Sequence, residues 1–135
     1  MKVLTENRLD YIKSLGAITP EFVIAPFGFS FAGVNNLKII CTKAYAESTA
    51  RLNDTWTVRS NNQIHAKLAI GKYGIVLGSW NFTQTSTKDK HEIGIHIRKG
   101  EYLNEYHKAL KYFQRLWARS TPIKKEGKQW VSEKD

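Results

Sequence analysis

A chain of 135 residues is the length of one ordinary domain and leaves no room for a second core. Its 41% hydrophobic and 24% charged residues exclude wholesale disorder and a fibrous repeat. With 21 Lys and Arg against 12 Asp and Glu, the net charge of +9 points to a polyanionic partner, either nucleic acid or an anionic membrane surface.

A single cysteine, Cys41, excludes an internal disulfide, and the 4 histidines have no cysteine partners for a zinc framework, so neither a metal nor another cofactor is expected. Residues 22–34 are the most apolar stretch, but Pro26, Gly28, Ser30 and Gly33 interrupt it and it is too short for a membrane-spanning helix. No membrane insertion is expected. The first residues lack the apolar core of a secretory signal, which makes a cytoplasmic location the default expectation.

Leu4, Leu9, Ile12 and Leu15 fall near helical spacing and predict a first helix over 5–15, with Gly16 as its stop. Residues 22–27 and 37–42 are short apolar runs bounded by Pro, Gly and Asn, the pattern of buried strands. A short helix over 44–52 and a strand over 56–59 come next. From 64 to 70, Ile64, Ala66, Leu68 and Ile70 alternate with His65, Lys67 and Ala69, a strand of period two. Residues 71–74 then read as a hairpin turn, and 75–77 as the returning strand. A loop rich in Thr, Ser and Lys leads to a strand over 92–98, whose isoleucines share one face and whose His96 is assigned to the polar face. Leu103, Tyr106, Leu110, Phe113 and Leu116 or Trp117 predict a long last helix over 101–118.

The expected organisation is one domain over 1–120 and a loosely held basic tail over 121–135, whose apolar residues are Ile123, Trp130 and Val131. The fold class is α/β, a mixed β-sheet sandwiched by helices, and not a doubly wound nucleotide fold. The glycines at 71, 74 and 78 form no phosphate-cradling loop pattern.

In His65-Ala66-Lys67 the two polar side chains share one strand face about 7 Å apart. A hairpin pairing residues that sum to 146 sets His65 opposite Asn81 and Lys67 opposite Ser79, all on that face; a sum of 145 turns Ser79 and Asn81 to the other side. Bringing the four together on one face therefore requires an odd-length loop or a bulge near Tyr73. An imidazole, an ammonium, an amide and a hydroxyl beside Gly78 make an oxyanion site with a nucleophile at hand.

His65-x-Lys67, a turn, then Gly78-Ser79-x-Asn81-Phe82-Thr83 resembles the signature of the phospholipase D superfamily, especially its small nuclease branch with one such motif per chain. The resemblance is dense over 64–83 and weak elsewhere. It implies a metal-independent phosphodiesterase in which His65 attacks phosphorus, a second histidine protonates the leaving alcohol, and water cleaves the phosphohistidine. With one motif per chain, it implies a homodimer with the two copies of His65 facing each other. Lys67 and Asn81 then hold the phosphate oxygens, Glu92 supports His65, and Ser79, Trp80 and Thr83 complete the substrate-binding set. The family's fuller motif has Asp where this chain has Lys72, a departure that weakens a phospholipase assignment more than a nuclease one.

Three functions remain open on the residues: a nuclease acting on DNA, with RNA as a second candidate substrate, a phospholipase or phosphatidyl transferase, and an inactive nucleic-acid-binding protein on the same scaffold, with Lys72 marking the loss. His91, His96 and His107 are assigned structural or solvent roles. Trp56, Trp117 and Trp130 suit core or dimer packing better than base stacking, while Trp80 lies at the rim of the candidate site. Basic residues such as Lys38, Arg59, Arg98 and Lys99 are individually explained by a solvated surface, yet their sum favours phosphate binding.

Overall fold

A computed structural model describes every residue except 6–7, 28–30, 32, 49–51, 80–91, 128 and 133–135. Among the described residues the elements are β1 (Lys2–Leu4), α1 (Arg8–Ile18), β2 (Pro20–Ile24), β3 (Lys38–Cys41), α2 (Lys43–Ser48), β4 (Thr57–Ser60), β5 (Lys67–Gly71), β6 (Gly74–Gly78), β7 (Gly94–Arg98), α3 (Leu103–Ala118), β8 (Thr121–Glu126) and β9 (Gln129–Ser132). The strands join in one open sheet of order β1-β7-β6-β5-β2-β3-β4-β8-β9. The β2–β3 and β3–β4 pairs are parallel and the other pairs antiparallel, which gives the mixed sheet that the sequence predicts.

Helices cover both faces. On one, Tyr11, Leu15 and Ile18 of α1 and Ala46 of α2 pack with Val23, Ile39, Cys41, Val58, Ala69 and Val76. On the other, Tyr106 and Phe113 of α3 pack with Ile24, Ile40, Leu68, Ile70 and Ile75. Central strands buried on both sides read as continuous apolar runs, which is why 22–27 and 37–42 stand out in the sequence. Cys41 is fully buried in the first layer, and that burial pushes its thiol up to about 12.

Several expectations are corrected. The helix α1 does not stop at Gly16 but runs to Ile18, and Thr19 takes the left-handed conformation (φ 51°) that ends it. Its buried face is Tyr11, Ser14, Leu15 and Ile18, whereas Leu9 and Ile12 are exposed. The polar-looking Tyr11 and Ser14 disguised the stripe. Residues 121–132 are not a loose tail: β8 pairs with β4, β9 pairs with β8, and Ile123 and Trp130 are buried. An N-terminal strand that the sequence reading missed, β1, pairs with β7.

His96 does not lie on the solvent side of β7. It is paired with Val76, on the α1 side of the sheet, and its Nδ1 is 3.1 Å from Ser14 Oγ. Burial first, then the charges of Arg98, Lys2 and the N-terminus, lower its pKa. The opposite side of this sheet margin is the open one. Val3, Ile95 and Leu77 stand in one cross-strand row there, and Val3 and Leu77 are 55% and 42% exposed.

Candidate active site

The β5–β6 hairpin resolves the register question. Lys67 pairs with Gly78, Leu68 with Leu77, Ala69 with Val76 and Ile70 with Ile75, each pair summing to 145, around a two-residue turn at Lys72 and Tyr73. The odd-length loop that the single-face arrangement requires is therefore absent. Instead, the candidate residues leave the ladder. His65 precedes the first residue of β5, and Ser79 follows the last residue of β6. Strand alternation governs neither of them.

Lys67 opposes Gly78, and Gly78 in turn opposes Gly94, so the row beside the ammonium-bearing side chain has no side chains of its own. A Cβ at Gly78 would lie 2.6 Å from both Gly94 Cα and Ile93 O, closer than backbone can tolerate. The glycine required by the motif is thus a packing requirement between β6 and the start of β7. His65 is exposed, and Lys67 Nζ donates to the His65 carbonyl oxygen at 3.2 Å. The imidazole and the ammonium therefore occupy one open end of the strand.

Ser79 and Glu92 are brought together. Ser79 Oγ lies 2.6 Å from Glu92 Oε2 and 3.2 Å from Ile93 O, and it accepts from Ile93 N at 3.0 Å. A hydroxyl has one proton, and the shorter approach to a carboxylate, the stronger acceptor, assigns that proton to Glu92. Ser79 N also donates to Ile93 O at 2.9 Å, which extends the β6–β7 ladder one step and fixes the carboxylate against the strand end. The resemblance assigns Glu92 to the support of His65; here the carboxylate takes its hydrogen bond from Ser79. Asn81, Trp80 and Thr83 lie outside the described residues.

The sequence reading missed Tyr11 as a neighbour of this site. Its hydroxyl is held well above the ordinary phenol range, by burial first and by the negative charge of Glu92 second, so α1 brings a buried phenol within electrostatic reach of the carboxylate. Its signal was a tyrosine in a helix whose aliphatic residues were taken for the buried face.

Lys72 sits in the turn at the other end of the hairpin, exposed, with Nζ 6.0 Å from the Tyr73 ring centroid. Five residue steps of strand separate it from Lys67, about 17 Å. The position where the family carries Asp is therefore remote from the exposed His65 and the half-buried Lys67. Among the described residues no group of three or more His, Cys, Asp or Glu is placed to hold a metal ion, and no helix is long and apolar enough to cross a membrane.

No family model matches the sequence, and no curated protein matches it. Solved structures share its fold. A phospholipase D family member, Nuc from Salmonella typhimurium, aligns with a TM-score of 0.62 at 14% identity over 92% of this chain and 97% of that one. NucT from Helicobacter pylori aligns at 0.57 and 16% identity, over 88% and 96%. TrmBL2, an archaeal chromatin protein described as showing a novel mode of DNA binding, aligns at 0.55 and 12% identity over 88% of this chain and 52% of that one. The chain shares the fold of Nuc and NucT.

Proposed function

We propose that the protein is a phosphodiesterase, a nuclease that hydrolyses DNA, with RNA as a second candidate substrate, through a phosphohistidine on His65, without a metal cofactor. The observation that carries this reading is an exposed His65 beside Lys67 at one strand end, with a Ser79–Glu92 pair at the end of the neighbouring strand, on this fold. The +9 charge supports a nucleic-acid substrate.

In the proposed reaction a neutral His65 nitrogen attacks phosphorus while the P–O bond to the leaving alcohol breaks. The second copy's imidazole, protonated at the start, gives its proton to that oxygen. Water then attacks the phosphohistidine, the P–N bond breaks, and the water's proton passes to the second imidazole. The reaction requires one ring to start neutral and the other protonated. Lys67 and Asn81 hold the phosphate oxygens as charge develops. Ser79 acts on Glu92 as a positioning residue, since its proton is already committed there.

The reaction needs two histidines and the chain carries one motif, so the site is shared by two copies. The open row of Val3, Ile95 and Leu77, together with Ile93, 60% exposed and next to Glu92, supports a second copy seated beside the site. Sedimentation is expected to give twice the chain mass of 15.5 kDa; a monomer that remains active overturns the shared site. Lys72 at the remote turn favours an active site over an inactive scaffold.

The test is cleavage of plasmid, single-stranded DNA and RNA in excess EDTA by wild type and by His65→Ala. Cleavage by wild type, reduced on the order of 10³-fold or more in the variant, is expected. Equal cleavage by both removes the nucleophile, and turnover of lipid vesicles but not DNA replaces the nuclease with a phospholipase.

A further inference from the structure

Between residues 106 and 125 the chain has 6 Lys and Arg and no Asp or Glu. Four of these cations, Lys108, Lys111, Arg115 and Arg119, are exposed and recur at steps of three and four, so they form one stripe along α3 and its C-terminal cap, opposite the buried Tyr106 and Phe113. At the helical rise, the stripe is about 16 Å long. Lys108, Lys111 and Arg115 border an open recess of about 600 Å³ together with Gln114 and Ala118. Lys108 pairs with Glu105 at 3.9 Å, an exposed contact that holds little of its charge back.

The direction of the stripe gives it meaning. One end of α3 is anchored far from the candidate site, where Tyr106 Oη donates to Gly71 O near the remote turn. The other end reaches the site's end of the sheet, where Asn61, just past β4, donates to Ser120 Oγ at 3.4 Å. A single ladder row, Leu68–Ile24–Ile40–Arg59–Pro122, runs from beside Lys67 to just beyond Arg119. Four strand spacings make that row about 19 Å wide. Arg59 on this row, and Lys38 two residues before Ile40 on β3, add two more cations, 4.5 and 5.8 Å from the Trp117 ring centroid.

We infer that this stripe is a second nucleic-acid-binding surface, which holds the phosphate backbone of a substrate outside the site where the bond is cut. The inference rests on the nucleic-acid part of the proposed function and not on hydrolysis. Compensation of the helix dipole does not account for the stripe, because that effect is confined to the last turn and Lys108 and Lys111 lie well before it. An anionic membrane fits less well, since interfacial helices insert an apolar face and that of α3 is spent on the sheet.

The test compares Lys111→Ala/Arg115→Ala/Arg119→Ala with the parent chain, both carrying His65→Ala, in binding to a 20-base-pair duplex across a salt series in EDTA. Three lost phosphate contacts are expected to flatten the slope of log K against log salt by about 2.7. The same triple substitution with His65 intact is expected to leave the KM and kcat for a small aryl phosphodiester unchanged, since that substrate cannot reach α3. An unchanged slope overturns the inference, as does an equal loss on the small diester. Lost binding to phosphatidylserine vesicles with duplex binding intact overturns it in favour of a lipid face. If the parent cleaves neither substrate yet the slopes differ as expected, the hydrolytic reading fails and the binding surface stands.

Discussion

The two ends of the β5–β6 hairpin are built from the same two strands and do opposite work. At the turn, Lys72 N and Tyr73 N donate to Thr19 O and Ile18 O, both at 3.1 Å, Lys99 N donates to Tyr73 O at 2.9 Å, and the Tyr106 hydroxyl closes on Gly71 O at 2.7 Å. At the other end His65 stands exposed before β5, and Ser79, also exposed, extends the β6–β7 pairing by one bond. The turn end is held by backbone hydrogen bonds and a buried phenol, whereas the end with the candidate chemical groups is held through the Ser79 side chain and leaves His65 exposed. Substitutions at the two ends are therefore expected to separate stability from turnover.

The largest stability effect is expected from Gly71→Ala, because its Cβ would lie 2.6 Å from both Thr19 O and the Ile18 carbonyl carbon, atoms of backbone that cannot swing aside. A loss of about 3 kcal/mol follows, seen as a melting temperature lowered by about 10 °C. A melting curve equal to wild type would show that the turn end is not rigid. At the opposite end, Ser79→Ala is expected to lower kcat about tenfold, some 1.4 kcal/mol, through a loosened Glu92, with melting unchanged. A variant that melts early but turns over normally would reverse the division.

His96 offers a smaller test, away from either end. Its folded pKa lies below the ordinary 6.5, with Lys2, Arg98 and the N-terminus opposing its protonation and Glu101 favouring it. The unfolded chain therefore takes up a proton first as pH falls. Stability is full above pH 6.5 and declines below it, through the window down to the folded pKa. His96→Gln is expected to remove that part of the acid dependence, measured by urea unfolding at several pH values; an identical pH profile would contradict it. The smallest effect is expected from Lys72→Asp, which restores the family residue at the remote turn and is expected to leave kcat/KM within about twofold. A large gain would mean that the turn end communicates with the site.

Much of this was legible in the sequence where one period dominates. The alternation through Leu68 and Ile70 marks β5, and the stripe through Tyr106 and Phe113 marks α3. The motif residues were legible as types in order. Their arrangement was not, because register depends on whether the turn holds two residues or three, and composition around Tyr73 does not decide that. Tyr11 and Ser14 escaped notice because helix burial was judged by aliphatic residues. The 121–132 hairpin escaped because isolated Ile123 and Trp130 among lysines resemble a tail until an edge of the sheet receives them. β7 misled for a related reason: its isoleucines suggest the core side, yet α3 covers the neighbouring strands and leaves that margin open.

The burial of Cys41 has a practical consequence. A thiol raised to about 12 and closed off from solvent forms almost no thiolate at neutral pH, so alkylating reagents have nothing to attack on the folded wild-type chain. A cysteine introduced at Leu77 or Lys111 would then be the one labelling position, without first removing the natural one. A spin label at Leu77→Cys turns the distance between two copies into a measured quantity, and a dye at Lys111→Cys reports whether nucleic acid arrives at α3.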